Sequence, residues 1–378
     1  MKPRTRNLIL AACIACTASL ASAQQKQATT PVVQLAILLD TSGSMSGLIN
    51  QARTQLWSIV NDLATTEKNG QRPHLEVALY QYGNSGIASA EGHTQMILPL
   101  TDDLDRVSAE LFKLGTNGGE EYCGYAIQAA TKGLQWRPGD ADLKLIFIAG
   151  NEPFTQGPVE PKGACKAAIS SGIMVNTIHC GDSLAGVSGG WQDGAALADG
   201  RFLNIDQNSQ VVQVEAPQDK QIAELNTKLN DTYVGYGASG KNRALMQQSN
   251  DANSNSISAA NLSARAASKA SSFYRNSSWD LVDAVKDDGK ALAKIAKKDL
   301  PSELQGLNQA ELEAHIAKKQ AERTALQKDI GALCKARDSY VTEARKKLAT
   351  DGGDTLGQAM ISAIRAQAKS RNFNYVAK

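Results

Sequence analysis

The stretch Val32-Val33-Gln34-Leu35-Ala36-Ile37-Leu38-Leu39 has one polar residue in eight. A half-exposed strand alternates apolar and polar residues, whereas a strand covered on both faces does not. This run therefore requires a sheet with helices on both sides. The following residues supply them. Gly47 to Lys68 carries Leu48, Ala52, Leu56, Ile59, Val60 and Leu63 at helical spacing. Strands are expected over Leu75–Tyr82, Thr94–Leu100, Leu143–Ile148, Ile173–His179 and Arg201–Ile205. Helices are expected over Asp102–Leu114, Glu120–Trp136, Lys162–Ser171 and Trp191–Ala198. The alternation defines an α/β fold, a doubly wound, mainly parallel six-stranded sheet. Ligands of such sheets sit outside the carboxyl ends of the strands. The loops that matter therefore begin at Asp40, Gly115, Gly150 and Gly181.

The first of these reads Asp40-Thr41-Ser42-Gly43-Ser44-Met45. One carboxylate and two hydroxyls spaced by two can converge on a hard cation as the loop turns into its helix. All-oxygen ligation of this kind suits one Mg²⁺, Ca²⁺ or Mn²⁺ ion. The competing reading is helix capping, in which Asp and Ser oxygens take up free backbone N–H groups.

In this context D-x-S-x-S resembles the metal-ion-dependent adhesion site of von Willebrand factor A (VWA) domains, and the resemblance covers residues 33 to 206. It implies a metal completed by a residue of a second loop and often by an acid of a third. The second loop is Gly115-Thr116-Asn117-Gly118-Gly119-Glu120-Glu121-Tyr122-Cys123. By the family pattern the ligand stands five residues before the small-apolar pair Ala126-Ile127, which is Glu121, with Thr116 and Glu120 as alternates. In the third loop, Ala149-Gly150-Asn151-Glu152-Pro153 replaces the usual T-D-G-x-P, so Gly150 stands where the acid is expected. Glu121 restores the missing charge, and Asn151 or Glu152 reaches the metal directly or through water. The resemblance further implies a protein ligand that offers an Asp or Glu carboxylate to the ion, and no catalysis.

Two other functions compete. Gly181-Asp182-Ser183-Leu184 spells the nucleophile motif of GDSL esterases, but a Ser nucleophile needs a His base within reach. The one later histidine, His315, has no Asp three residues before it. His179 and Cys180 are adjacent on a strand and point to opposite faces. The third reading is a structural domain whose metal loop is vestigial. Aromatic residues are 5% of the chain and the formal charge is +2, which argues against a nucleic-acid partner.

Lys2, Arg4 and Arg6, the apolar stretch Leu8–Leu20 and Ala21-Ser22-Ala23 read as a cleaved signal peptide over 1–23, giving a periplasmic or secreted protein. Lipid attachment at Cys13 is the rival, but it leaves an apolar run of only about six residues. No later run is long and apolar enough for a transmembrane segment. Four cysteines then remain, Cys123, Cys165, Cys180 and Cys334, which permit three complete pairings or buried free thiols.

The expected organisation is a linker over 24–31, the VWA domain over 32–206, a helical extension and Ser/Asn-rich linker over 207–260, and an α-helical hairpin or bundle over 261–378. Residues 24–260 hold 16 Lys and Arg against 24 Asp and Glu, while 261–378 hold 21 against 14. Two helices are expected at Trp279–Lys298 and Gln309–Ala349, with a final one at Thr355–Lys369. Lys319, Arg323 and Arg337 interrupt the apolar stripe of the second, which favours an intramolecular hairpin over a long coiled coil. The sequence specifies no oligomeric state.

Overall fold

The strand β1 (Val32–Asp40) is buried at every residue and lies inside the sheet, as its unbroken apolar run requires. The computed structural model describes residues 30–139, 141–348 and 355–376. The signal peptide expected over 1–23, Cys13, most of the 24–31 linker and the segment between the two last expected helices, 349–354, lie outside the described residues. In chain order, α1 (Ser46–Leu63), β2 (Thr66–Glu67), β3 (His74–Tyr82), β4 (Thr94–Thr101), α2 (Leu104–Lys113), α3 (Cys123–Gly133) and β5 (Leu143–Gly150) follow β1. Then come α4 (Pro161–Ser170), β6 (Met174–Cys180), α5 (Ser183–Ser188), α6 (Trp191–Ala196) and β7 (Phe202–Ile205).

The main sheet has the order β4-β3-β1-β5-β6-β7, and only the β3–β4 pair is antiparallel. The six strands agree with the sequence reading to within two residues at each end. Register sets the next level. Leu39 pairs with Gln81 on one side and Ala149 on the other. Asp40 and Gly150 therefore end neighbouring strands on the same edge of the sheet. One face packs on α1 and α2 through residues such as Leu35, Leu56 and Val107. The other packs on α3, α4 and α6 through Ile146, Ile127 and Trp191.

The chain continues through α7 (Asp219–Asn230), α8 (Gly240–Ile257), α9 (Ala259–Lys269), α10 (Leu281–Asp287), α11 (Ala291–Lys294), α12 (Gln309–Leu348), α13 (Leu356–Ser370) and β8 (Asn374–Tyr375). Four features differ from the sequence reading. The Ser/Asn-rich stretch over 238–258, which reads as a linker or weak helix, contains the 18-residue α8. Its buried face is Gln247, Asn250 and Ser254, a polar stripe that hydrophobic periodicity cannot register. Gln247 Nε2 donates to Tyr274 Oη at 2.9 Å, and Asn250 Nδ2 donates to the Asp105 carbonyl at 2.9 Å. The single helix expected over Trp279–Lys298 is broken at Asp288-Gly289 into α10 and α11.

The third difference is α13, expected within the helical hairpin or bundle over 261–378 but packed against the sheet domain. Its residues Leu356, Ala359, Met360, Ala363 and Ile364 join the same core as α1 and the sheet. Gln51 and Gln55 of α1 accept from the backbone N–H groups of Leu356 (2.8 Å) and Gly357 (2.6 Å), which satisfies donors that a helix start leaves open. The fourth concerns the charges on α12. Arg323 is buried and bridges Asp280 (2.7 Å) and Asp283 (2.9 Å), and Arg337 pairs with Asp219 at 2.5 Å. These residues do not merely interrupt a seam; they anchor α12 to the helices beside it. Cys123, Cys165 and Cys180 are buried free thiols, so no disulfide joins any two of the four cysteines.

Candidate metal centre

The loop after β1 does not cap its helix. Asp40 Oδ1 accepts from the backbone N–H of Ser42 at 2.7 Å, and the residue before α1 is Met45, which offers no side-chain cap. Capping therefore leaves Asp40, Ser42 and Ser44 unexplained. Ser42 Oγ lies 3.5 Å from Ser44 Oγ, with Ser42 buried and Ser44 exposed. Three backbone contacts fix the loop against its neighbours: Gly43 N–H to Gly118 O (2.6 Å), Asn117 N–H to Thr41 O (2.9 Å) and Thr41 N–H to Tyr82 O (2.8 Å).

From the second loop it is Glu121 that turns inward. The helix expected from Glu120 begins at Cys123, which leaves both acids on the loop. Glu121 is buried, its N–H donating to Gln156 Oε1 at 2.6 Å. Glu120 is exposed and accepts from Tyr122 Oη, and Thr116 is half-buried further back on the loop. Asp40 and Glu121 close on each other beneath Gly83. That residue has φ +75°, and a Cβ there would lie 2.7 Å from Glu121 Cγ and 2.8 Å from Asp40 Oδ1.

The third loop contributes Asn151, whose Nδ2 donates to Ser44 Oγ at 3.3 Å. Glu152 is exposed and its charge acts on both acids from nearby. Gly150 also has a physical explanation. A Cβ on it would fall 2.3 Å from Tyr82 Oη and 3.1 Å from Asp40 Oδ2. Tyr82 Oη, donating to the Ala149 carbonyl at 2.9 Å, occupies the space an acid at 150 would need.

The electrostatics follow from burial. Asp40 is pushed up to about 6 by loss of solvent, against the downward pull of the Ser42 N–H. Glu121 is pushed up to about 8, first by burial and then by the Asp40 charge. No Lys or Arg is among the main groups acting on either acid. Three buried oxygens have no hydrogen-bond donor here: Asp40 Oδ2, Glu121 Oε2 and Asn151 Oδ1. Buried polar atoms are nearly always paired, so three orphaned acceptors on three converging loops need an explanation. A divalent ion supplies one, since it meets acceptor oxygens and returns charged carboxylates to favour. Among the described residues no group of three or more His, Cys, Asp or Glu side chains could hold a metal. Any ion here would depend on a mixed set of carboxylate, hydroxyl and amide oxygens, which hard cations accept.

The Gly181 loop offers no comparable chemistry. Asp182 caps α5, and Ser183 stands exposed in its first turn. His179 has both ring nitrogens engaged, Nδ1 with Asn204 Oδ1 (3.1 Å) and Nε2 with the Asn151 carbonyl (3.2 Å). The second contact braces the third loop, a positioning role that sequence reading did not assign to His179. Gln156, Gly83 and Tyr82 were missed in the same way, because each acts through a contact between distant loops.

A mainly parallel sheet of this order with a D-x-S-x-S loop at its carboxyl edge is the arrangement of a VWA fold. Residues 34–187 match the family model of the von Willebrand factor type A domain, and the chain has the VWA fold with a helical region following it. Domains of this type are often metal-dependent and mediate protein interactions. Among solved structures, the conserved hypothetical protein BatB from Bacteroides thetaiotaomicron is 18% identical, over 46% of this chain and 90% of that one, with TM-score 0.35. The SpRpn10 VWA domain is 17% identical over 47% and 90%, with TM-score 0.37. Proximal thread matrix protein 1 from the mussel byssus, with a zinc-occupied MIDAS motif, is 11% identical over 47% and 43%, with TM-score 0.35. No curated protein matches. Among the described residues, no helix is long and apolar enough to cross a membrane.

Proposed function

We propose that this protein is an exported, divalent-cation-dependent module for protein–protein recognition or envelope assembly. The observation that carries the reading is the set of three buried acceptor oxygens without donors, Asp40 Oδ2, Glu121 Oε2 and Asn151 Oδ1. In this reading Asp40, Ser42, Ser44, Glu121 and Asn151 hold one Mg²⁺, Ca²⁺ or Mn²⁺ ion. The ion supplies positive charge and an open position that takes an Asp or Glu carboxylate of the partner. The chain's own part is positional. Gln156 holds Glu121 inward, His179 holds the third loop, and Gly83 lets the two acids approach. Export rests on Lys2, Arg4, Arg6, the apolar stretch after them and Ala21-Ser22-Ala23.

Thermal unfolding of the purified chain with and without divalent cation tests the site. At one hundred times Kd, binding adds about 2.7 kcal/mol of stability. Asp40→Ala is expected to lose this increment while keeping the far-UV spectrum of the wild type. A wild-type chain that Mg²⁺, Ca²⁺ and Mn²⁺ all leave unchanged would make the metal loop vestigial.

A further inference from the structure

Four helices enclose a cleft that the side chains of the described residues do not fill. On α9, Ala264, Ala267 and Ala270 recur every three residues and are half-buried, while Leu262, Ala266 and Lys269 beside them are buried. The three alanines therefore lie on one side of the helix. α12 turns Gly331, Lys335, Asp338, Val341 and Arg345 to the same space, one face of that helix by their spacing. α1 adds Asn61 and Thr65, and α13 adds Ile361 and Arg365. The cleft has a volume of about 570 Å³. Packing leaves few voids larger than a water molecule, whereas ligand clefts run to about 300–1,000 Å³.

Other contacts fix the walls. Asn61 Nδ2 donates to the Ala264 carbonyl at 2.8 Å, and Asn61 Oδ1 accepts from Ser268 Oγ at 2.7 Å, which ties α1 to α9. Arg365 Nε donates to Asp62 Oδ1 at 3.0 Å, which ties α13 to α1. Arg337 Nε donates to Asp219 Oδ1 at 2.5 Å, which ties α12 to α7. The charge around the cleft is one-sided. Arg72, Lys335, Arg337, Arg345 and Arg365 border it against Asp62 and Asp338. Arg365 and Arg337 are taken up by Asp62 and Asp219. Lys335, Arg345 and Arg72, whose own acid Glu67 is 3.8 Å away, stand exposed at the mouth, and Asp338 is the exposed acid among the lining residues.

We propose that this cleft binds a single aliphatic chain carrying an anionic head, a carboxylate or a phosphate. The alanines of α9 with Val341 and Ile361 take the chain, which leaves water as it enters. The basic rim takes the head, which the planar donor fork of arginine suits. The site is separate from the candidate metal centre: Asn61 lies in the last turn of α1, whereas the D-x-S-x-S loop precedes its first.

Isothermal titration of the full chain in chelator tests this without reference to the metal. The probes are dodecanoate, dodecyl phosphate, dodecyltrimethylammonium and acetate, each below its micelle-forming concentration. At least one of the two anionic chains is expected to bind about tenfold tighter than the cationic chain, and acetate to give no measurable heat. The tighter of the two anions identifies the source, a free fatty acid or a lysophospholipid. Ala267→Leu places a larger side chain in the cleft and is expected to abolish binding with an unchanged far-UV spectrum. Lys335→Glu with Arg345→Glu, both exposed, is expected to weaken the anionic chain by about tenfold without weakening the cationic one. Should Ala267→Leu fail to fold, the charge reversal decides alone. No binding of either anionic chain, equal affinity for anionic and cationic chains, or an affinity that either set of substitutions leaves unchanged in a folded protein would overturn the proposal.

Discussion

Buried carboxylates in two regions of this molecule are treated in opposite ways. In the helical region each meets a cation. Arg265, fully buried, joins Asp105 (2.7 Å) to Asp251 (2.5 Å), and Lys269 reaches Asp251 at 3.1 Å. Arg323 does the same for Asp280 and Asp283. These pairs tie α2 of the sheet domain to α8 and α9, and α12 to α10. Their charge is satisfied within the chain, and Asp251 is held down to about 2 by Arg265 and Lys269 despite its burial. At the carboxyl edge of the sheet, Asp40 and Glu121 are buried together, and among the described residues no Lys or Arg pairs with either. Both are pushed upward instead. Where the chain supplies the counter-charge, a buried acid is part of the structure. Where it does not, the acid is held toward its neutral form.

Breaking the first kind should cost most. Arg265→Met leaves Asp105 and Asp251 buried without their shared cation and is expected to destabilise the fold by about 3–5 kcal/mol in urea unfolding. Whatever fold remains should keep its response to divalent cation, because the sheet-edge loops are untouched. If that response vanished as well, the two regions would not be independent.

Breaking the second kind should have the opposite sign. Asp40→Asn removes a charge held in a dry place beside Glu121. With about two pH units of upward shift, the expected gain at pH 8 without divalent cation is about 3 kcal/mol, accompanied by loss of cation-induced stabilisation. A chain made less stable by Asp40→Asn under those conditions would show that the carboxylate already has a partner within the fold.

The two regions also separate on the pH axis. A raised acid contributes stability that is present below its unfolded value and lost as pH rises through its folded one. For Asp40 that window is 3.8 to about 6, and for Glu121 it is 4.5 to about 8. A depressed acid runs the other way. Asp251 contributes about 2 kcal/mol above pH 3.8, which is lost as pH falls toward about 2. The cation-free chain should therefore be most stable near pH 4, weakening on either side, and divalent cation should flatten the alkaline limb alone. Unfolding midpoints from pH 2 to pH 9, with chelator and with Mg²⁺, check this.

How much of this was legible depends on the range of the signal. Strand β1 and helix α1 follow from local apolar spacing, and the D-x-S-x-S loop lies within five residues, so both could be read directly. Glu121 needed an external pattern, since nothing local distinguishes it from Glu120. The inward turn comes from Gln156, 35 residues away. Gly150 looked like a lost ligand, while the structure makes it a position that Tyr82 fills from another strand. In the helical half, α8 hid because its buried face is amide and hydroxyl, and the arginines of α12 looked like defects because their acids lie 43 and 118 residues off. Packing by polar side chains leaves no hydrophobic periodicity for a sequence to display.

The finest distinction lies between Asn151 and Glu152. Asn151 has an orphaned oxygen and touches Ser44. Glu152 is exposed, and its backbone carbonyl accepts from Trp191 Nε1 at 2.9 Å, which fixes the main chain but leaves the carboxylate at the rim. Its charge raises both Asp40 and Glu121, and an exposed charge of this kind is screened by solvent. Glu152→Gln is therefore expected to weaken Mg²⁺ affinity by about two- to threefold, the few tenths of a kcal/mol typical of an exposed charge, and less so in high salt. Asn151→Ala, by contrast, removes an inward oxygen and should weaken affinity by about tenfold or more. Isothermal titration of both variants at two salt concentrations separates field from ligation. A tenfold loss in Glu152→Gln that salt does not alter would place the carboxylate on the metal and return Asn151 to the structural side of the comparison.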